Sequence, residues 1–249
     1  MRARSASPII GPLALMLICL PTLSAFATEG DILALSRATY AALRSYADTG
    51  TVDVEYGPAS AIIRERHTFR TRYRAPRRFY FDFIKHQKAD RFVVWSDDEA
   101  FRTWWQTTGV ETTYPKGQGT VAIVTATMPT QNAIAQIAPL LFSQAGLAGT
   151  LTEFGDASVV GTESVGGRSC HKLVGVARSM YAATQHVTNV RRTTVWIDIE
   201  TLLIRKVLEE TPQGTPPGLV SRVTTMFEAE ANPTLDDDRF RFVPPSPPR

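Results

Sequence analysis

The sequence predicts an α+β fold: one N-terminal helix, a short helical insertion and an antiparallel sheet of about ten strands that curls on itself. Three observations predict it. Apolar residues recur every three or four positions in one early segment and every two positions thereafter. Gly-, Pro- and Asp-rich breaks separate the period-two runs, so sequential strands pair as neighbours, and a sheet of so many twisted strands curls or splits. Finally, the hairpin TTVWIDIETLLIRKVLEE (Thr193–Glu210) is apolar on both sides. Val195, Ile197 and Ile199 share one face with Trp196 opposite; in the return strand Leu202, Ile204 and Leu208 share a face opposed by Leu203 and Val207. A sheet with one wet face would alternate apolar and polar, so this one has apolar material to cover on each side.

The elements follow in order. Residues 1–27 have the form of a cleaved signal peptide: Arg2 and Arg4 precede the apolar run Ile9–Leu20, and Ala25-Phe26-Ala27 is an A-x-A cleavage site. The run is shorter than the roughly 20 apolar residues a spanning helix needs. Lipid attachment at Cys19 would require a small residue before it, where Ile18 stands. The expected mature chain, 28–249, forms a single domain. Asp31–Asp48 is the clearest helix, with Ile32, Leu35, Thr39, Leu43 and Tyr46 on one side, Asp31 as N-cap and Gly50 as stop. Five strands then form a meander over Thr51–Tyr56, Ala61–Tyr73, Arg78–Ile84, Arg91–Ser96 and Phe101–Thr107. Val121–Met128 reads as a further strand or a lid. In PTQNAIAQIAPLLFSQAG, Ile134, Ile137 and Leu141 are spaced for a helix, and Pro139 divides it into two short ones. Strands resume at Ser158–Glu163, Arg168–Val176, Thr193–Ile199, Leu202–Glu210 and Leu219–Ala229, with Gly166-Gly167 as a hairpin turn.

Charge and cysteine content narrow the function. The formal charge of +3 falls to +1 when Arg2 and Arg4 leave with the signal, which excludes a polycationic nucleic-acid binder. Of two cysteines only Cys170 stays, so the exported chain holds together without an internal disulfide. No G-x-S-x-G elbow is present, and GTESVG has the wrong spacing. Cys170 and His171 are adjacent and point apart on a strand, so they form no thiol–imidazole pair. His67, His86, His171 and His186 lack metal-ligand spacing. LDDDRF (Leu235–Phe240) reads as a solvated turn and Cys170 as a small half-buried hydrophobe. No enzyme, cofactor or metal is predicted.

Two patterns remain as candidate sites. Phe79, Phe81 and Phe83 alternate along one strand face, followed by Phe92, Val94 and Trp104; with Ile134, Ile137, Leu141 and Trp196 they either fill a core or line an apolar cavity. Trp104 and Trp105 face opposite sides, so at most one points inward. In IIRERHTFRTRYRAPRR, the residues Arg64, Arg66, Arg70, Arg72 and Arg74 share one parity and line one face. That row is either a solvated outer face with acidic cross-strand partners or a docking strip for an acidic partner or an anionic membrane surface, worth about 1 kcal/mol per basic residue near charged lipid.

Three stretches, in this order, resemble the LolA/LolB-like lipoprotein-localisation superfamily: RYRAPRRFYFDF (Arg72–Phe83), FVVWSDDEAFRTW (Phe92–Trp104) and NPTLDDDRFRFVPP (Asn232–Pro245). QIAPLLFS is similar to that family's short lid helices. Val160–Leu173 and Trp196–Arg205 resemble an uncharacterised predicted periplasmic branch of it. In the carriers' Arg-Pro pair an alanine intervenes here, Arg74-Ala75-Pro76, which maps their functional arginine roughly onto Arg74. The resemblance implies a strongly curved antiparallel sheet, an incomplete β-barrel, closed by the N-terminal helix and short lid helices around a cavity for acyl chains. The implied function is a soluble periplasmic carrier of a lipid acyl chain or lipoprotein, with the 134–142 helices as a lid that swings about Pro139 and Gly146. The alternative is an envelope sensor or accessory module that docks a protein partner through the arginine face.

Overall fold

The computed structural model of the chain describes residues 29–88, 90–96, 100–115, 141, 154–178, 190–210 and 216–245. The signal segment, Val121–Met128, Ile134 and Ile137 lie outside them. Helix α1 (Glu29–Ala41) is followed by β1 (Ser45–Pro58), β2 (Ile63–Arg74), β3 (Arg78–Lys85), β4 (Asp90–Ser96), β5 (Ala100–Trp105) and β6 (Val110–Pro115). The second half supplies β7 (Phe154–Val165), β8 (Arg168–Arg178), β9 (Val190–Asp198), β10 (Ile204–Glu209), β11 (Leu219–Phe227) and β12 (Glu230–Ala231), then a 3₁₀ turn at Asp237–Phe240.

All strands join one open, curved antiparallel sheet in the order β6-β5-β4-β3-β2-β1-β11-β10-β9-β8-β7, with β12 beside β1. Two sequential meanders, β1–β6 and β7–β11, meet where β1 pairs with β11 from Gly50↔Phe227 to Pro58↔Leu219. The edges β6 and β7 do not pair, so the barrel is incomplete. One core cluster draws residues from α1, from β1 to β4 and from β7 to β11, so the sheet wraps an inner face. Two smaller clusters lie on the outer face, one around Tyr80, Val93, Trp95 and Trp104 and the other around Val165, Cys170 and Trp196. The turn between β7 and β8 is Gly166-Gly167 with φ of 57° and 78°, the positive values a tight two-residue hairpin requires.

Three expectations change. The helix ends at Ala41 rather than Asp48, because Ser45–Asp48 pairs with Arg74–Thr71 on β2. The Asn232 side-chain oxygen accepts hydrogen bonds from the Arg44 and Ser45 N–H groups, which fixes the chain's exit into β1. The buried side of α1 carries Ile32, Leu33, Ser36 and Tyr40, whereas Leu35 is 47% exposed. In the hairpin that is apolar on both sides, the β9–β10 register shifts between Ile204 and Lys206. That bulge puts both Ile204 and Val207 in the inner core and sends Leu208 to the outer cluster with Trp196.

Candidate functional site

The inner face is built from alternation. In β3, Phe79, Phe81 and Phe83 stand opposite Tyr73, Thr71 and Phe69 of β2 and Ser96, Val94 and Phe92 of β4. Residues directly opposite in an antiparallel pair share a face, so these aromatics form one patch. The Phe81 and Phe83 rings lie nearly parallel with centroids 6.3 Å apart, and Phe69 stands 6.4 Å from Phe81 and 5.5 Å from Phe227. The Phe69 ring lies over Gly50, where a Cβ would meet it at 2.2 Å, so no larger residue fits there without a shift. Helix α1 contributes Ile32, Leu33 and Tyr40 to the same inner cluster. It packs on β7, and at the β9–β10 turn Ser36 Oγ donates to the Leu202 carbonyl (2.8 Å) while Tyr40 Oη accepts from the Ile204 N–H (3.1 Å). Leu141, the residue described between Pro115 and Phe154, is 7% exposed and belongs to the inner cluster.

A few polar groups interrupt this apolar surface. Asp48 is 3% exposed and accepts from Tyr46 Oη (2.8 Å) and the Thr71 N–H (2.9 Å). Burial, only partly offset by those hydrogen bonds, pushes its pKa up to about 7. Burial likewise raises Glu209 against the opposing charge of Arg191. His67 is 1% exposed, its pKa is lowered by burial, and its ring nitrogens make no hydrogen bond among the described residues. The Glu65 carboxylate lies 3.3 Å from its Nε2 without hydrogen-bond geometry. The Thr71 hydroxyl is also buried without a partner among them.

On the outer face the arginine row divides into three parts. Arg64 meets Glu55 (2.8 Å) and Arg66 holds Asp53 through two bonds (2.6 and 2.9 Å), both across the β1–β2 ladder. Arg72 and Arg74 hold the chain's own C-terminal segment. Arg72 donates to the Arg239 carbonyl (3.0 Å), and Arg74 donates to the Leu235 carbonyl (2.7 Å), pairs with Asp237 and stacks over Phe240. Arg78 reaches the same Asp237 at 2.9 Å. LDDDRF is therefore an internal counter-charge, and the two flanking arginines hold the Asp237 carboxyl below its usual range. The segment's three carboxylates are exposed on a 3₁₀ turn, as a solvated turn predicts, and Asp237 in addition pairs with the two arginines. The available signal was its charge complementarity to RYRAPRR. Between these parts Arg70 is exposed and makes no ion pair among the described residues.

The other named residues fall as follows. Trp104 pairs with Val93 and lies on the outer face, 5.3 Å from Phe242, whereas Trp105 shares the inner side with Phe92. Trp196 is also on the outer face, with Lys206 Nζ 4.3 Å and Lys172 Nζ 5.3 Å from its ring. Neither tryptophan stands with Phe79, Phe81, Phe83 and Val94, because each is one position out of phase with the inner set. Cys170 is fully buried, and burial pushes its thiol up. Among the described residues no three His, Cys, Asp or Glu side chains cluster as metal ligands, and no helix is long and apolar enough to cross a membrane.

This is an α+β protein whose open, curled sheet presents an aromatic inner face and a basic outer one. No family model matches the chain, and no curated protein matches it in sequence. Among solved structures it is similar to the lipoprotein LppX of Mycobacterium tuberculosis, at 12% identity and a TM-score of 0.47 over 82% of this chain and 95% of that one. It is similar to LprF of Mycobacterium bovis at 11% identity and a TM-score of 0.48, over 83% of this chain and 94% of that one. A LolA superfamily protein from Nitrosomonas europaea follows at 10% identity and a TM-score of 0.33, over 86% of this chain and 98% of that one. At such identities no residue's role passes from those proteins to this chain.

Proposed function

We propose that the chain, exported and freed of residues 1–27, is an envelope carrier that binds an acyl chain of a lipid or lipoprotein against the inner face. One observation carries the reading. Phe69, Phe79, Phe81, Phe83 and Phe227, none more than 4% exposed, form one aromatic patch inside the curled sheet, a continuous apolar wall along which an acyl chain would lie. An apolar wall with a few polar groups, here Asp48, His67 and Thr71, is the ordinary chemistry of a lipid pocket. Each buried methylene gains about 0.8 kcal/mol, so about ten give roughly micromolar, reversible affinity. Transfer of this kind needs no chemistry, and the proposal includes none. The second reading, docking through the arginine face, has less support because Arg64, Arg66, Arg72 and Arg74 are already engaged within the chain.

The test is native mass spectrometry of the mature chain purified from a bacterial periplasm, before and after organic extraction. An extractable adduct of lipid mass, or uptake of a long-chain acyl probe that salt does not weaken, is the expected result. An apo mass that stays unchanged after incubation with phospholipid vesicles and acylated peptides defeats the proposal.

A further inference from the structure

The outer face contains a feature that the inner-face reading does not use. Across the sheet, one row of side chains on that face runs Glu228, Thr49, Arg70, Asp82, and the next runs Met226, Thr51, Thr68, Ile84. In both rows a small threonine on β1 is flanked by longer side chains, and in the second β2 also contributes a threonine. The longer neighbours become walls and the threonines a floor. The result is a groove of about 320 Å³ lined by all eight residues.

Its charges are disposed unusually. Arg70 forms no ion pair among the described residues, although Asp82 is its direct cross-strand neighbour, because both Asp82 oxygens are taken by Arg91 at 2.7 and 2.9 Å. Asp82 is therefore neutralised in place. On the far wall Glu228 accepts a hydrogen bond from Thr49 Oγ1 at 3.0 Å and forms no ion pair among the described residues. Arg70 and Glu228 stand two strand spacings apart, about 10 Å at the backbone. Among the described residues the groove thus offers one cation and one carboxylate that lack an ion-pair partner, on opposite walls, with apolar Met226 and Ile84 beside them. A simple anion would meet Arg70 but also Glu228. A ligand that carries both charges, separated by more than one carbon, satisfies both walls.

We propose that this groove binds a phosphoethanolamine group, its phosphate on Arg70 and its ammonium on Glu228. The site is independent of the acyl site on the inner face. Both side chains are exposed, so Arg70→Ala and Glu228→Gln leave the fold intact. The mature chain is titrated calorimetrically with O-phosphoethanolamine and with inorganic phosphate, and floated with vesicles of phosphatidylethanolamine or of phosphatidylglycerol. We expect O-phosphoethanolamine or the phosphatidylethanolamine vesicles to bind, with about tenfold or greater weakening in either variant. Binding of the soluble compound assigns a free ligand, and binding of the vesicles alone assigns a lipid headgroup. Failure of both, or binding of inorganic phosphate or phosphatidylglycerol that is as tight and indifferent to Glu228→Gln, overturns the site. Uptake of an acyl probe, measured on the same variants, should not change, which separates this proposal from the preceding one.

Discussion

Asp48 shows how one residue couples burial to pH. Its carboxyl sits within the sheet's inner core, held by Tyr46 and the Thr71 N–H, with no cation in contact among the described residues. An unfolded chain titrates such a group near 3.9, and folding moves it up to about 7. Between those values the native state holds a proton that the unfolded state has lost. This residue's contribution to stability is therefore full below about pH 4, falls as pH rises toward 7 and is flat above. Asp48→Asn should remove that slope, worth on the order of a few kcal/mol. Urea midpoints of both proteins from pH 4 to pH 8 check it, and parallel profiles would mean that Asp48 is ionised throughout. At this scale the sequence was legible where parity decides. The arginine row does share one face and the Phe79–Phe83 set the other, because alternation is a property of the strand itself. Asp48 was not legible, since nothing local distinguishes a buried carboxylate from an exposed one.

Among the elements, the β9–β10 hairpin is the clearest case of a motif explained by its geometry. Asp198, buried at the end of β9, accepts from the Glu200 and Thr201 N–H groups (2.9 and 3.2 Å) and so closes the turn. Its other oxygen receives Arg205 at 2.9 Å from Nε and 2.8 Å from Nη2. Arg205 also donates to the Ala229 carbonyl (2.6 Å) and to Thr201 Oγ1 (3.2 Å). The segment Trp196–Arg205 is thus a structural clasp in which a buried pair is fully hydrogen-bonded. Asp198→Ala leaves Arg205 buried and unpaired, which should cost about 3–5 kcal/mol, whereas adding Arg205→Met should recover part of the loss. Denaturant unfolding of the single and double variants decides it, and a single variant within 1 kcal/mol of wild type would contradict the clasp (a change of roughly the size of one ordinary hydrogen bond). The end of α1 was misread for a related reason. Leu43 and Tyr46 continue a helical spacing, but pairing with β2 and the Asn232 bonds outweigh it.

For the whole molecule, the C-terminal segment ties the α1–β1 junction to the outer face of the first meander. Asn232 and Pro233 fasten the α1–β1 junction, Asp237 bridges Arg74 and Arg78, and Phe240 and Phe242 cover Tyr80, Trp95 and Trp104. Phe240→Ala removes a buried ring and should cost about 3–5 kcal/mol. It should also shift the emission of Trp95 and Trp104 to the red. A stability and spectrum equal to wild type would show that the segment merely rests on the sheet. The neighbour pairings within each meander, the hairpin turns and the existence of two apolar faces were in the sequence, because alternation, turn chemistry and neighbour pairing act over a few residues; the β1–β11 pairing that joins the meanders was not. Only the tertiary structure decided which partner each outward residue meets. The tail carboxylate on the arginines, the cation and carboxylate facing each other across a threonine floor, and the outward turn of Trp104 and Trp196 all depend on registers between segments far apart in the chain, and no local pattern encodes a register.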